Sequence, residues 1–379
     1  MRDELYFDYN ASTPIDELVL EEALAWMRGG HGNASSPHPE GVRAAGAIQQ
    51  ARERVATGLN AKASEIFFTS GGTESNNWAL QGSARGLRSG HIVSTAIEHK
   101  SVLSTLKELE RQGIECSLVA PDSSGAVRAE DIASALRKDT LLVSVMAANN
   151  ETGVLQPVEA IAALCRSRGV RFHVDAVAAL GKHELDVGAI GCDLLSLSSH
   201  KLYSPKGSGV LFVRDGTALQ PLIFGCGQQG GMRGGTENTA GAVAFGRAFE
   251  RLREGAFGSP AKFVGLREQL FGRLKEKFPG LERNGSGPCL SNTLNVAFPG
   301  ADAPQLVASL GARGFSVSAG AAASCGTMSH VLAAMGISER RARASLRLSL
   351  GAHSTLAGIT KLAEALEASL PVSQIAHSR

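Results

Sequence analysis

The sequence has no Cys-x-x-Cys pair and no Cys/His cluster. Its six cysteines, Cys116, Cys165, Cys192, Cys226, Cys289 and Cys325, are scattered along 379 residues. That excludes the common zinc frameworks and the paired-thiol redox motif. No metal site is expected, and free thiols in a reducing cytoplasm are the default. No run of about 18 apolar residues is present to cross a bilayer. The opening MRDELYFDYN puts acidic side chains where a secretory signal would carry its apolar core, so no such signal is expected. Neither sign of charge dominates, with 38 Lys and Arg against 36 Asp and Glu and a formal net charge of +2. Composition therefore gives no footprint for nucleic acid or an anionic membrane. Internal repeats and low-complexity segments are also lacking.

What is present is an ordinary globular balance, 43% hydrophobic and 20% charged, with ample material for a core. The length suits one large domain with a smaller one attached. Strand candidates are residues 65–69 (EIFFT), 91–95 (HIVST), 141–146 (LLVSVM), 170–175 (VRFHVD), 194–198 (LLSLS) and 209–213 (GVLFV). Most are short, apolar and β-branched or aromatic, as strands buried on both faces are. Helical patterns lie between them, one carrying Val42, Ile48, Val55 and Leu59 and another opening at Pro157. Such alternation predicts an α/β domain with a mostly parallel sheet whose strand C-termini share one rim. Beyond residue 240 the pattern changes. Helices are expected near 241–253 and 263–277, and apolar stretches at 293–298 and 315–317, as in a second α+β domain. Residues 255–260 are a plausible hinge between the two.

The chemistry-bearing residues fall at the predicted strand ends. EIFFT is followed by Ser70, Gly71, Gly72 and Thr73. A Gly pair entering a helix frees N–H groups and points a positive dipole end at an anion. VRFHVD ends in Asp175, an acid whose burial is costly unless it is paired. A protonated pyridine nitrogen is one such partner; a helix-capping acid is the bland alternative. LLSLS is followed by Ser199, His200 and Lys201. A lysine just past a buried strand end is a candidate Schiff-base amine, its pKa lowered by burial and nearby cations. A lone lysine is otherwise a solvated surface residue.

With these three elements in this order, the sequence resembles the class V aminotransferase-like, fold-type I pyridoxal-phosphate (PLP) enzymes. Within that group it is similar to the cysteine desulfurase family. The match includes residues 6–14 (YFDYNASTP), 32–38 (GNASSPH), 68–77 (FTSGGTESNN), 148–153 (ANNETG), 233–238 (RGGTEN) and 347–351 (RLSLG). The resemblance implies a large PLP-binding domain over residues 15–255 and a smaller C-terminal domain over 256–379, with residues 1–14 packing near it. It implies that Lys201 holds pyridoxal 5'-phosphate as a Schiff base and that Asp175 pairs the pyridine nitrogen. His99 stacks on the ring and handles protons. Gly72, Thr73, Ser198 and His200 hold the phosphate, and Asn150 lies near the phenolic oxygen. Thr236 reaches the phosphate of the neighbouring subunit, hence a homodimer. Arg347 takes the substrate carboxylate, and Asn10 and Ala11 line the substrate entrance. The implied activity is removal of sulfur from L-cysteine, giving L-alanine and an enzyme persulfide for a sulfur-acceptor protein, in the cytoplasm.

The sequence departs from the family in three places. The family nucleophile is a cysteine on a mobile loop, and that position is Ala323, with Cys325 two residues on. Three readings follow: Cys325 serves instead, the alanine is a substitution that traps an intermediate, or the protein performs another PLP reaction. The rival reaction is β-elimination by a cysteine C–S lyase, which needs no protein thiol. A catalytically disabled dimer that docks sulfur acceptors is the alternative outside enzymology. Ala178 stands where the family often has a glutamine near the cofactor oxygen. Cys226 stands where a glycine is usual, and is a candidate second thiol to receive or relay sulfur.

Overall fold

The computed structural model describes residues 5–320 and 328–370. Ala323 and Cys325 lie outside the described residues. Seven strands form the main sheet: β1 Ile66–Thr69, β2 Gly90–Thr95, β3 Ile114–Val119, β4 Thr140–Met146, β5 Arg171–Asp175, β6 Leu194–Ser198 and β7 Gly209–Val213. Their spatial order is β1-β7-β6-β5-β4-β2-β3. The pairs β2–β3, β2–β4, β4–β5 and β5–β6 are parallel, whereas β7 is antiparallel to both β1 and β6. Two reversals restore direction, so β1, β5 and β6 end on the same rim. The sheet is α/β and mostly parallel, as the alternating pattern predicts.

Strands β2, β6 and β7 are buried at every position; β7 (GVLFV) therefore reads as an unbroken apolar run, whereas β2 and β6 also bury His91, Ser94, Thr95, Ser196 and Ser198. Strand β3 is absent from the sequence reading. It is an edge strand, half-exposed and carrying Glu115, Cys116 and Ser117, so it lacks that signature.

The helix Pro39–Leu59 is capped by the His38 side chain and begins at a proline, where the missing N–H costs nothing. Ala44, Ile48, Ala51, Val55 and Leu59 form its buried stripe. It packs against the helix Thr239–Arg253, where Gly246 permits close approach: a Cβ there would lie 2.8 Å from the Ala51 Cα.

A second sheet, antiparallel in the order β10-β9-β8, consists of β8 Glu282–Arg283, β9 Thr293–Ala297 and β10 Ser345–Ser349. It has its own core, including Phe7, Leu274, Phe298, Leu346 and Leu362. The apolar stretch at 315–317 does not form a ladder; Ser316 and Ser318 make isolated bridges to Tyr6 and Arg347. The N-terminal segment joins both sheets. Ser349 N donates to Phe7 O at 2.8 Å, and Thr13 Oγ1 donates to His200 O at 2.9 Å. Among the described residues no helix is long and apolar enough to cross a membrane, and no group of three His, Cys, Asp or Glu side chains could hold a metal ion.

Candidate active site

The rim where β1, β5 and β6 end is built around a glycine with no motif of its own. Gly209 pairs with Thr69 on one side and with Ser198 on the other. A Cβ at Gly209 would stand 2.6 Å from Gly71 Cα and 2.7 Å from Leu197 O. Its absence lets the turn after β1 lie against the end of β6. Gly71 itself has φ 152° and ψ −179°, a conformation open in practice to glycine alone. The helix Gly72–Ala84 follows with no side-chain cap on its first turn, so its N–H groups and dipole remain free to meet an anion.

Asp175, at the end of β5, is 4% exposed. Its Oδ2 accepts from Asn76 Nδ2 at 2.7 Å and its Oδ1 from Val177 N at 3.0 Å. Asn76 Nδ2 also donates to Ser101 Oγ at 2.9 Å. Asn76 lies one helical turn beyond Gly72 and Thr73, on the same helix face. That spacing in SGGTESNN could have singled it out from the sequence.

His99 caps the helix Lys100–Arg111. Its Nδ1 accepts the Ser101 N–H at 3.1 Å and lies 2.8 Å from Ser101 Oγ. An amide can only donate, so the neutral ring carries its proton on Nε2. Burial is the main influence lowering its pKa; Asp175 and Glu151 oppose the shift, and Lys201 and His330 reinforce it.

Lys201 follows β6 by one tight turn. Its Nζ donates to the carbonyls of Asn10 and, at 3.0 Å, Ala11. Burial, reinforced by the Arg347 charge, brings its pKa down to about 8, with Asp8 and Asp175 acting in the opposite sense. His200 is held near 4 by burial and by Lys201 and Lys206; it is neutral at pH 7. A second lysine, Lys182, is brought down to about 7 by burial and by the charges of Lys201 and Arg347. Its amine donates to the Ala178 carbonyl at 3.2 Å.

Arg347, in β10, is 2% exposed. One Nη is 2.6 Å from Asp8 Oδ1 and the other 3.0 Å from the Asn150 carbonyl, whereas Nε has no partner. A buried guanidinium with donors still unused, the Nε–H among them, fits a carboxylate ligand.

These groups share one cavity of about 290 Å³. Of the residues singled out in the sequence, it is lined by Asn10, Ala11 and Arg347, by Gly72, Thr73, Ser198 and His200, and by His99, Asn150, Asp175 and Lys201. Ala178 lines it too, leaving no amide at that point of the wall. Thr236 lies apart, in a second cavity of about 170 Å³ with Arg233 and Gln229. Cys226 is exposed and does not line the Lys201 cavity. The sequence reading missed Asn76, Ser101, Glu151 and His330, all in the wall of the main cavity.

A profile of the aminotransferase class-V family matches residues 5–362. Cysteine desulfurase IscS of Clostridium botulinum (strain Hall) is 40% identical over 373 residues, covering 97% of this chain and 94% of that protein. The chain belongs to the class-V aminotransferase family, among the cysteine desulfurases. Solved structures of the family superpose closely. A NifS-like protein gives a TM-score of 0.89 at 37% identity, covering 96% of this chain and 98% of that one. SspA in complex with cysteine gives 0.83 at 38%, covering 92% and 99%. Enzymes of this family in general depend on pyridoxal phosphate, and the cavity fits that group. It offers a buried carboxylate, an uncapped helix N-terminus flanked by Ser198 and His200, and a desolvated amine.

Proposed function

We propose that the protein is a PLP-dependent cysteine desulfurase. It takes sulfur from L-cysteine, releases L-alanine and passes the sulfur on as a persulfide to an acceptor protein, as in iron–sulfur cluster assembly. The observation that carries this reading is the meeting of a depressed amine, Lys201, with a buried carboxylate, Asp175, and the spare donor of Arg347 in one cavity.

When bound, pyridoxal phosphate supplies an electron sink for the bonds at the substrate's α-carbon. Lys201 holds it covalently through Nζ. Asp175, kept in place by Asn76 and the Val177 N–H, would pair the ring nitrogen and favour its protonated form. Gly72, Thr73, Ser198 and His200 would take the phosphate. His99 would cover the ring, and Asn150 would serve its phenolic oxygen; both line the cavity. Arg347, oriented by Asp8 and Asn150, would take the substrate carboxylate with its remaining N–H donors. Asn10 and Ala11 close the substrate end. The Lys201 amine, brought down to about 8 by burial, would serve as the base for the substrate's α-proton.

We also read residues 15–255 and 256–379 as the two domains, and the protein as a cytoplasmic homodimer in which Thr236 serves the neighbouring subunit's phosphate. Ala323 at the family nucleophile position favours a second reading, a C–S lyase that eliminates sulfide without a protein thiol. The test is product analysis after incubation with L-cysteine, pyridoxal phosphate and a thiol reductant. Alanine in step with sulfide supports desulfuration, with Cys325 the first residue to replace. Pyruvate assigns the protein to the lyases. Neither product, with the cofactor still bound, points to a docking subunit.

A further inference from the structure

We infer that His330 is a catalytic base, the group that accepts the proton carried by the substrate's sulfur. The inference rests on the desulfurase reading and adds a residue to it. The sequence pattern around Lys201, Asp175 and His99 gives His330 no role, and His99 is the obvious candidate for sulfur-proton chemistry. The hydrogen bonds argue otherwise.

His99 receives the Ser101 N–H at Nδ1. Its neutral form therefore shows the cavity an Nε2–H, a donor with no lone pair in the ring plane to take a proton. His330 has the opposite arrangement. Its Nε2 lies 2.9 Å from the carbonyl oxygen of Glu98. A carbonyl only accepts, so Nε2 carries the proton and Nδ1 carries the lone pair. Nδ1 has no hydrogen-bond partner among the described residues. Both imidazoles line the same cavity as Lys201 and Arg347, and they are near enough for their charges to interact. One wall thus offers an N–H donor and a basic nitrogen from two histidines whose protons are fixed by backbone groups.

The backbone that carries His330 is anchored as well. Ser329 caps the helix His330–Ala334, accepting from Leu332 N at 3.2 Å, and donates to Glu151 Oε2 at 2.6 Å. Glu151 is fully buried in the same wall. The Glu98 carbonyl keeps its hydrogen bond to Nε2 in both protonation states, so the ring need not turn during the transfer.

The step balances as follows. The electron pair of an attacking thiolate, from the protein or an added thiol, forms the new S–S bond. The pair of the broken C–S bond remains on the carbon fragment, which takes up one proton from solvent and leaves as alanine. The pair of the S–H bond stays on sulfur while the proton bonds to His330 Nδ1. The imidazolium then returns that proton to solvent. No oxidant or reductant beyond the thiolate is consumed.

The experiment uses holoenzyme, L-cysteine and alanine detection. His330→Gln keeps a donor for the Glu98 carbonyl but has no basic nitrogen, and alanine formation should fall about 100-fold, the low end for loss of a general base. His330→Ala should fall as far and regain at least about tenfold on adding imidazole, with more basic substituted imidazoles restoring more. Independently of turnover, the ¹⁵N spectrum of selectively labelled, cofactor-free protein should place the His330 proton on Nε2. Alanine formation by His330→Gln at about the wild-type rate would overturn this inference alone, as would a proton on Nδ1 or indifference of His330→Ala to imidazole. Wild-type protein that makes no alanine would overturn the desulfurase reading and this one with it.

Discussion

Two substitutions should move the reactivity of Lys201 in opposite directions. Its amine is depressed from 10.5 to about 8 by burial first and by Arg347 second, while Asp8 and Asp175 raise it. At pH 7.5 a pKa near 8 leaves roughly a quarter of the amine neutral; an ordinary lysine would be about 0.1% neutral. Arg347→Met removes the leading charge and leaves the burial. Loss of one nearby like charge is worth about one pKa unit, so the neutral fraction at pH 7.5 should fall about eightfold. Asp8→Asn removes an acid that favours the protonated amine, and the midpoint should move down. Asp8→Asn also leaves Arg347, whose side chain is 3% exposed, without its carboxylate, at a cost of about 2 kcal/mol after allowance for the partial exposure of Asp8. The assay is competitive acetylation of cofactor-free protein over a pH series, with the Lys201 peptide quantified by mass spectrometry against exposed lysines. A wild-type midpoint near 10.5, or midpoints of the two variants moving the same way, would refute the reasoning.

Other expectations concern the rim and the cofactor. Gly209→Ala drives a methyl against Gly71 Cα and Leu197 O; it should cost about 2 kcal/mol in urea unfolding and weaken pyridoxal phosphate binding in a titration. Asp175→Asn keeps the shape and the bond from Val177 but cannot pair a protonated ring nitrogen. It should remain folded, by its unfolding midpoint, while losing at least about 100-fold of turnover. Removing the cofactor should lower stability in proportion to its saturation, by about 2.7 kcal/mol from a level of 100 Kd, and Lys201→Ala should abolish most of that difference in Tm.

The parts of the site that were legible in the sequence are those carried by single strand ends. β5 (RFHVD) and β6 (LLSLS) are short, largely buried strands that end at Asp175 and Ser198, and the polar residues that follow each mark the rim. The reversal of β7 was not legible, because GVLFV is buried in either direction and carries no sign of its polarity. The partnership of Arg347 with Asp8 spans 339 positions, and neither side chain has a local pattern that points to the other. Asn76 had a usable signal in helical spacing. His330 had none: its role depends on which ring nitrogen meets a backbone carbonyl from the turn before another helix. The pattern changes after residue 240, but the helix Thr239–Arg253 belongs to the first core and the second is built from Phe263 onward with Phe7; the short β8 and the bridges at Ser316 and Ser318 follow from long-range pairing with β9, β10 and the N-terminal segment.

The central claim is that the cavity of Lys201 and Asp175 is the seat of the cofactor. Borohydride reduction of protein loaded with pyridoxal phosphate, followed by peptide mapping, tests it most directly. The account predicts one modified peptide, with the phosphopyridoxyl group on Lys201 and the label lost in Lys201→Ala. Label on Lys182 or on surface lysines, unchanged by Lys201→Ala, would contradict it.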